Sequence, residues 1–179
     1  MRGSIAAALL TALVLVVPAA ASAQSSWLYE LRGGVLAHDV PIVAGGHWEN
    51  GVSLNAEAAF TPSLPFLGGN IRPVVGGTFT TDQATSWVYA DARLEWAWSQ
   101  FFVGIGVGPS LHTGDSLYYS YPQNKGLGSR VLFHVPLELG FQITPENRIE
   151  LYYEHESNGF LAYPNPGMDN IGGRIAHRF

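Results

Sequence analysis

His155 and Ser157 stand two residues apart near the C-terminal end of the chain. Because side chains alternate along a β-strand, two residues at this spacing share one face of a strand. An imidazole beside a hydroxyl supplies the base and the nucleophile of acyl-transfer chemistry, in which the histidine takes the serine proton. The same face carries Ile149, Leu151 and Tyr153, so the pair would lie on the apolar side of its strand.

An apolar strand face points into the core of a soluble protein but towards lipid in a transmembrane barrel, and the composition favours the barrel. Charged residues make up only 13% of the chain, about half the usual share of a soluble domain, while aromatic residues reach 12%. The formal net charge of −5 and the lack of a basic run argue against a nucleic-acid partner. The sequence has no cysteine, which excludes a disulfide framework, a thiol nucleophile and a thiolate metal site.

The first 23 residues have the layout of a secretory signal peptide. Arg2 precedes an apolar run from Ile5 to Val17, and Ala21-Ser22-Ala23 provides a small-residue cleavage site. We therefore expect residues 1–23 to be removed and residues 24–179 to form a single outer-membrane β-barrel domain.

Eight segments alternate apolar and polar side chains with the period of a strand that meets lipid on one side. They are Trp27–His38, Asn50–Phe60, Asn70–Thr80, Trp87–Trp98, Phe101–His112, Gly128–Gln142, Arg148–Ser157 and Asn170–Phe179. This pattern predicts an all-β fold, an eight-stranded antiparallel transmembrane β-barrel of the outer-membrane type.

The connections between these segments predict the orientation of the barrel. Tight turns at 99–100 and 144–147 and a longer turn at 61–69 alternate with mostly longer loops at 39–49, 81–86, 113–127 and 158–169. Such barrels have short turns on the periplasmic side, so both termini are predicted to be periplasmic.

The inward faces of the segments carry many charges, including Glu30, Arg32 and Glu138. The interior of an eight-stranded barrel is only wide enough for side chains, so these charges are predicted to pair and no channel is expected. Glycines at 104, 106 and 108 are predicted to let bulky inward side chains approach from across the lumen.

Asp169 has the outward parity of the last segment and would point the same way as His155 and Ser157. Directly opposed side chains on antiparallel neighbours lie about 4.5–5.5 Å apart. The three side chains are therefore predicted to converge on the outside of the barrel as acid, base and nucleophile. Asn158 and the backbone of Gly159 are candidates for the oxyanion hole.

Other polar residues have simpler readings. His155 and Ser157 also fit the polar belt of a membrane boundary. His38, His47 and His112 lack metal-ligand spacing, so we expect them to be surface loop residues. No metal and no organic cofactor are predicted.

The stretch Glu154-His155-Glu156-Ser157-Asn158-Gly159, followed by Asn165-Pro166-Gly167, an acidic residue and a terminal Phe179, resembles the C-terminal signature of the PagL-type lipid A 3-O-deacylases. The resemblance implies an eight-stranded outer-membrane barrel that hydrolyses the ester-linked acyl chain at the 3-position of lipid A, the lipid part of lipopolysaccharide. It further implies a catalytic triad on the lipid-facing wall, and it permits a homodimer.

The resemblance also implies roles for individual residues. His155 matches the family base, Ser157 the nucleophile and Asn158 a residue that helps form the oxyanion hole. Asp169 stands where the family pattern has glutamate, and its side chain is shorter by one methylene. A non-catalytic small barrel with a structural or surface-binding role is the alternative, and it predicts that His155, Ser157 and Asp169 do not converge.

Overall fold

The computed structural model describes residues 27–115 and 125–179, and the predicted signal peptide at 1–23 lies outside the described residues. The described chain forms nine strands. They are β1 (Leu28–Ala37), β2 (Val52–Phe60), β3 (Leu64–Phe66), β4 (Gly69–Thr80), β5 (Trp87–Trp98), β6 (Phe101–His112), β7 (Val131–Gln142), β8 (Asn147–Ser157) and β9 (Met168–Arg178). Within these residues no helix is long and apolar enough to cross a membrane.

Eight of the strands close into an antiparallel barrel, as predicted. Each pairs with its neighbour in the order β2, β1, β9, β8, β7, β6, β5 and β4, and the additional pairing of β2 with β4 completes the circle. The predicted bounds of β5 and β6 agree with the structure, and the other barrel strands begin or end within three residues of the prediction.

The ninth strand, β3, corrects the prediction of a plain turn at 61–69. β3 pairs with the start of β4, with Leu64 opposite Ile71 and Phe66 opposite Gly69. Leu67 and Gly68 between them both have positive φ, the backbone of a two-residue hairpin turn. Leucine rarely adopts this conformation, so Leu67 does not mark a two-residue turn at this point of the predicted 61–69 connection.

The outer wall of the barrel is apolar. Along β6, for example, Val103, Ile105 and Val107 are exposed while the intervening glycines are not. A Cβ atom at Gly104 would lie 2.5 Å from the Glu138 carboxylate. This close approach confirms that these glycines make room for large inward side chains.

Buried ion pairs occupy the lumen around Glu138. The Glu138 carboxylate binds Arg32 at 2.6 Å and Arg174 at 2.8 Å, and it also contacts Arg93. All four side chains are at most 2% exposed. Paired charges offset part of one another's desolvation cost, as predicted for the inward charges of a small barrel.

Four loops lie at the same end of the barrel. Loop 1 (residues 38–51) joins β1 to β2, loop 2 (81–86) joins β4 to β5, loop 3 (113–130) joins β6 to β7, and loop 4 (158–167) joins β8 to β9. The described parts of loops 1, 3 and 4 contribute directly to the candidate site.

Candidate active site

The register of β8 and β9 places His155 directly opposite Asp169. The His155 Nδ1 atom lies 2.6 Å from the Asp169 Oδ1 atom. A carboxylate only accepts hydrogen bonds, so Nδ1 carries the proton and donates it. The neutral imidazole therefore keeps a lone pair on Nε2, the tautomer that a general base needs.

Direct opposition also explains how aspartate reaches the imidazole without the extra methylene of glutamate. The side chains of a directly opposed pair are already at contact distance, because neighbouring strands fix their Cβ atoms about 4.5–5.5 Å apart. Tyr153, on the same outward face, donates its hydroxyl to the same Asp169 Oδ1 atom at 2.8 Å.

The second carboxylate oxygen of Asp169 is bound by the backbone of loop 1. Three consecutive amides donate to Oδ2, from Ile42 at 3.2 Å, Val43 at 2.5 Å and Ala44 at 2.7 Å. With His155 and Tyr153, the carboxylate accepts five hydrogen bonds in all. Asp169 has outward parity but is fully buried, because loop 1 covers it.

Loop 1 is itself held by a buried polar cluster. The Lys125 ammonium, which is fully buried, donates to Asp39 Oδ1 at 2.5 Å and to the carbonyl of Gly46 at 3.1 Å. The other Asp39 oxygen accepts the amides of Trp48 at 2.7 Å and Glu49 at 3.0 Å. The Asp39 carboxylate, near the start of loop 1, thus binds the end of loop 1 through two amides and binds loop 3 through Lys125.

Glu49 is a second anchor of the same cluster. Its carboxylate accepts hydrogen bonds from His38 Nε2 at 3.1 Å, the Thr85 amide at 2.7 Å and the Lys125 amide at 2.6 Å. Burial would raise the pKa of Glu49, but these hydrogen bonds outweigh it and hold the pKa below its ordinary value.

Ser157 is the last residue of β8, and its register partner on β7 is Phe133. It is half-buried and lies two residues from His155 on the outward face. Within residues 27–115 and 125–179, Ser157 forms no hydrogen bond to His155. Such contacts in an enzyme without substrate are often long and tighten only when the substrate binds.

Asn158 is buried and fastens loop 4. Its side-chain amide donates to the carbonyls of Leu127 and Pro164, both at 2.9 Å. Its backbone amide donates to the Asn165 side chain at 3.0 Å. All its N–H groups have protein acceptors, so a role in the oxyanion hole would require Asn158 to release one of these bonds.

Gly159 follows in the left-handed conformation, with φ of 62°. A Cβ atom there would lie 2.9 Å from the Phe133 ring, so the tight turn after Ser157 suits glycine alone. In the described part of the chain its backbone N–H has no acceptor, which leaves this donor available two residues from Ser157.

A family model described as lipid A 3-O-deacylase (PagL) matches residues 40–178. This range contains both β8 and β9, with His155, Ser157 and Asp169 among their residues. The chain belongs to the lipid A 3-O-deacylase family.

One curated relative carries the same family name, and two solved structures share the fold. The chain is 29% identical to the lipid A deacylase PagL of Bordetella bronchiseptica over 93% of each protein. Its fold is similar to the crystal structure of the outer membrane enzyme PagL, with a TM-score of 0.63, 16% identity and coverage of 84% of this chain and 99% of the other. It is also similar to Neisserial surface protein A, with a TM-score of 0.53, 8% identity and coverage of 87% and 98%.

Gly167 is a site residue of this deacylase-family chain that the sequence did not single out for a role. Its φ is +68°, and a Cβ atom there would lie 2.9 Å from His155 Cε1 and 3.5 Å from the Ala44 side chain. The glycine lets loop 4 and loop 1 close over the imidazole. Its place in the Asn165-Pro166-Gly167 stretch was the available signal.

The loop-1 donors to Asp169 and the Lys125 anchor were also missed. Backbone amides carry no sequence signal, and a lone lysine in a loop is usually solvated. Tyr153 was recognised as outward-facing, and its shared parity with Asp169 was the signal for the hydrogen bond between them.

The interpretation of His38 and His112 as surface loop residues was wrong. They are only 2% and 7% exposed. His38 bonds to Glu49, and His112 Nε2 bonds to the carbonyl of Ser129 at 2.6 Å. Loops folding over the barrel mouth bury residues that a linear pattern places at strand ends, whereas His47 is exposed as expected.

An apolar groove lies on the outer wall near the end of β8, with Asn158 in its lining. It has a volume of about 430 Å³ and is lined by parts of β6, β7 and loop 4, among them Val107, Pro109, Val131, Phe133 and Leu161. Phe133, one of the lining residues, stands opposite Ser157 in the strand register.

Proposed function

We propose that this outer-membrane protein hydrolyses the ester-linked acyl chain at the 3-position of lipid A, with Ser157 as the nucleophile. The observation that carries the proposal is the His155–Asp169 hydrogen bond on the lipid-facing wall, two residues from Ser157. A substrate that is itself a membrane lipid can reach a site on this wall from the side. Family membership supports the same reaction.

In the proposed mechanism, His155 Nε2 accepts the Ser157 proton as the hydroxyl oxygen attacks the ester carbonyl. Asp169 keeps Nδ1 protonated and stabilises the imidazolium that forms. The imidazolium then protonates the leaving sugar oxygen, and water, activated by His155, releases the fatty acid from the acyl-enzyme.

The oxyanion of this reaction needs N–H donors close to Ser157. We propose the backbone N–H of Gly159 as one donor. Asn158 either supplies a second by releasing a loop-4 bond or acts by fixing the turn that presents Gly159.

The groove near the end of β8 is the proposed seat of the acyl chain. Its lining is mostly apolar and continuous with the outer wall, so a hydrocarbon chain could pass from the membrane to the ester-cleaving position without crossing a polar surface. Apolar contact along the chain would orient the ester against the nucleophile.

We further propose that both termini are periplasmic. The turns at the opposite end of the barrel from loop 1 are short at 99–100 and 143–146, as is usual on the periplasmic side. The site would then lie at the outer leaflet, where the lipid A of lipopolysaccharide resides.

The test is the Ser157→Ala variant, overproduced in a Gram-negative strain whose extracted lipid A is weighed by mass spectrometry. Wild type should remove one 3-position acyl mass and the variant should not. Ser63→Ala, an exposed serine at the other end of the barrel, is the matched control and should behave as wild type. If Ser157→Ala removes the chain as wild type does, Ser157 is not the nucleophile. If wild type removes none, the non-catalytic alternative gains.

A further inference from the structure

We propose that Lys125 and Asp39 are positioning residues for the reaction. In this inference they hold loop 1 so that its amides at 42–44 fix the Asp169 carboxylate against His155. The inference rests on the proposed function. It adds loop 1 and the Lys125–Asp39 ion pair to the three side chains of the proposed triad.

The first step concerns the direction of the Asp169 carboxylate. One of its oxygens, Oδ1, contacts His155 and Tyr153, and the rotation that aims this oxygen also depends on what binds the other. Three amides of loop 1 bind Oδ2. A shift of loop 1 would therefore turn Oδ1 away from His155 Nδ1.

Loop 1 contacts the start of β9 and loop 4 on either side of this carboxylate. The Val40 amide donates to the Asp169 carbonyl at 2.8 Å, and the Gly45 amide donates to the Pro166 carbonyl at 2.8 Å. Ala44 packs near Gly167, which backs the imidazole. Loop 1 thus contacts the Asp169 side chain, the Asp169 backbone and the Gly167 turn that lies against His155.

Apolar packing does little to hold loop 1 in place. Ile42, Val43 and Trp48 are 55%, 70% and 48% exposed. The polar anchors hold it instead, with Asp39 binding the amides of residues 48 and 49 and Lys125 binding both Asp39 and the carbonyl of residue 46.

A buried ion pair adds little net stability compared with apolar side chains, because desolvation offsets the attraction. Its hydrogen bonds do impose geometry. The Lys125 ammonium donates to one side chain and one carbonyl of the same loop, which fixes the separation of residues 39 and 46. The amides of 42–44 lie between these two points.

The main experiment measures kcat and KM of purified full-length protein in detergent on lipid A. Lys125→Met should lower kcat about 100-fold, the effect of misplacing a reacting group by about 1 Å, with KM little changed. Lys125→Arg should recover part of the loss. Arg72→Met is the matched control at the other end of the barrel, where Arg72 binds the Thr61 carbonyl, and should keep wild-type kcat.

A double-variant cycle separates positioning from general destabilisation. If Lys125 acts through Asp169, adding Lys125→Met to Asp169→Ala should lower kcat no further. If the two losses multiply, Lys125 does not act through the acid and the proposal is overturned. Wild-type kcat for Lys125→Met would overturn it as well.

A second pair of variants tests the loop without touching the buried charges. Val43→Pro removes one N–H donor to Asp169, whereas Val43→Ala keeps it and removes the same exposed side chain. We expect a lower kcat for Val43→Pro than for Val43→Ala, and equal values would overturn the proposal even if Lys125→Met does not fold. If Ser157→Ala remained active, that result would instead contradict the proposed function, in which Ser157 is the nucleophile.

Discussion

Replacing Asp169 with asparagine keeps the size of the side chain and removes its charge, so it isolates the role of the carboxylate. The asparagine has one acceptor oxygen where the aspartate has two. In the aspartate, Oδ2 accepts hydrogen bonds from three loop-1 amides, and Oδ1 accepts them from His155 and Tyr153. The asparagine amide nitrogen is itself a donor, so it should take the place of Oδ1, where it meets two donors rather than three.

With this amide N–H as its neighbour, His155 would have to accept a hydrogen bond through Nδ1 and carry its proton on Nε2. That is the wrong tautomer for a general base, which needs a lone pair on Nε2. The corresponding loss of tautomer in a serine protease triad lowers kcat by about 10⁴. We expect a similar fall in kcat for Asp169→Asn, which corresponds to about 5.5 kcal/mol of transition-state stabilisation.

The assay is the release of the 3-position fatty acid from lipid A by purified protein, followed by mass spectrometry over time. Asp82→Asn, at an exposed position of loop 2, is the matched control and should keep wild-type kcat. A loss of less than about tenfold, or 1.4 kcal/mol, in folded Asp169→Asn would refute the tautomer argument.

Three further predictions follow from the loops and the groove. Gly167→Ala should lower kcat more than Gly68→Ala, because both glycines have positive φ but only Gly167 has His155 against its missing Cβ; equal kcat values would contradict this. Phe133→Ala should lower kcat/KM roughly tenfold by removing about 1–2 kcal/mol of apolar contact with the acyl chain, and an unchanged kcat/KM would place the chain elsewhere. The folded protein holds the pKa of Glu49 below its ordinary value of 4.5, so the ionised carboxylate stabilises the fold above pH 4.5 and this stabilisation is lost as the pH falls through the lowered pKa. The melting temperature of Glu49→Gln should therefore change less between neutral and acid pH than that of wild type. Parallel pH profiles of the two melting temperatures would contradict this prediction.

The strand pattern of this protein could be predicted from the sequence because lipid and lumen select opposite side chains at alternating positions. That period placed His155 and Ser157 on one outward face and gave Asp169 the same parity. The ion-paired lumen and the glycines beside Glu138 followed from the small diameter of an eight-stranded barrel.

Parity alone leaves open which residues of two strands stand opposite each other. The hydrogen-bond register of β8 and β9 decides this, and it puts His155 directly across from Asp169, so that the shorter acid is sufficient. The hairpin at Leu67 and Gly68 was missed for a related reason, since leucine gives no signal of a left-handed backbone.

The sequence by itself determined the barrel, the face of the candidate site and the residue types that could do its chemistry. Tertiary structure alone decided how the acid is held, because the donors to Asp169 Oδ2 are backbone amides of loop 1, more than 120 residues earlier in the chain. Every residue except proline carries such an amide, so no residue type marks these three. Only the folding of loop 1 across the barrel mouth, with Lys125 bound to Asp39, brings them to the carboxylate.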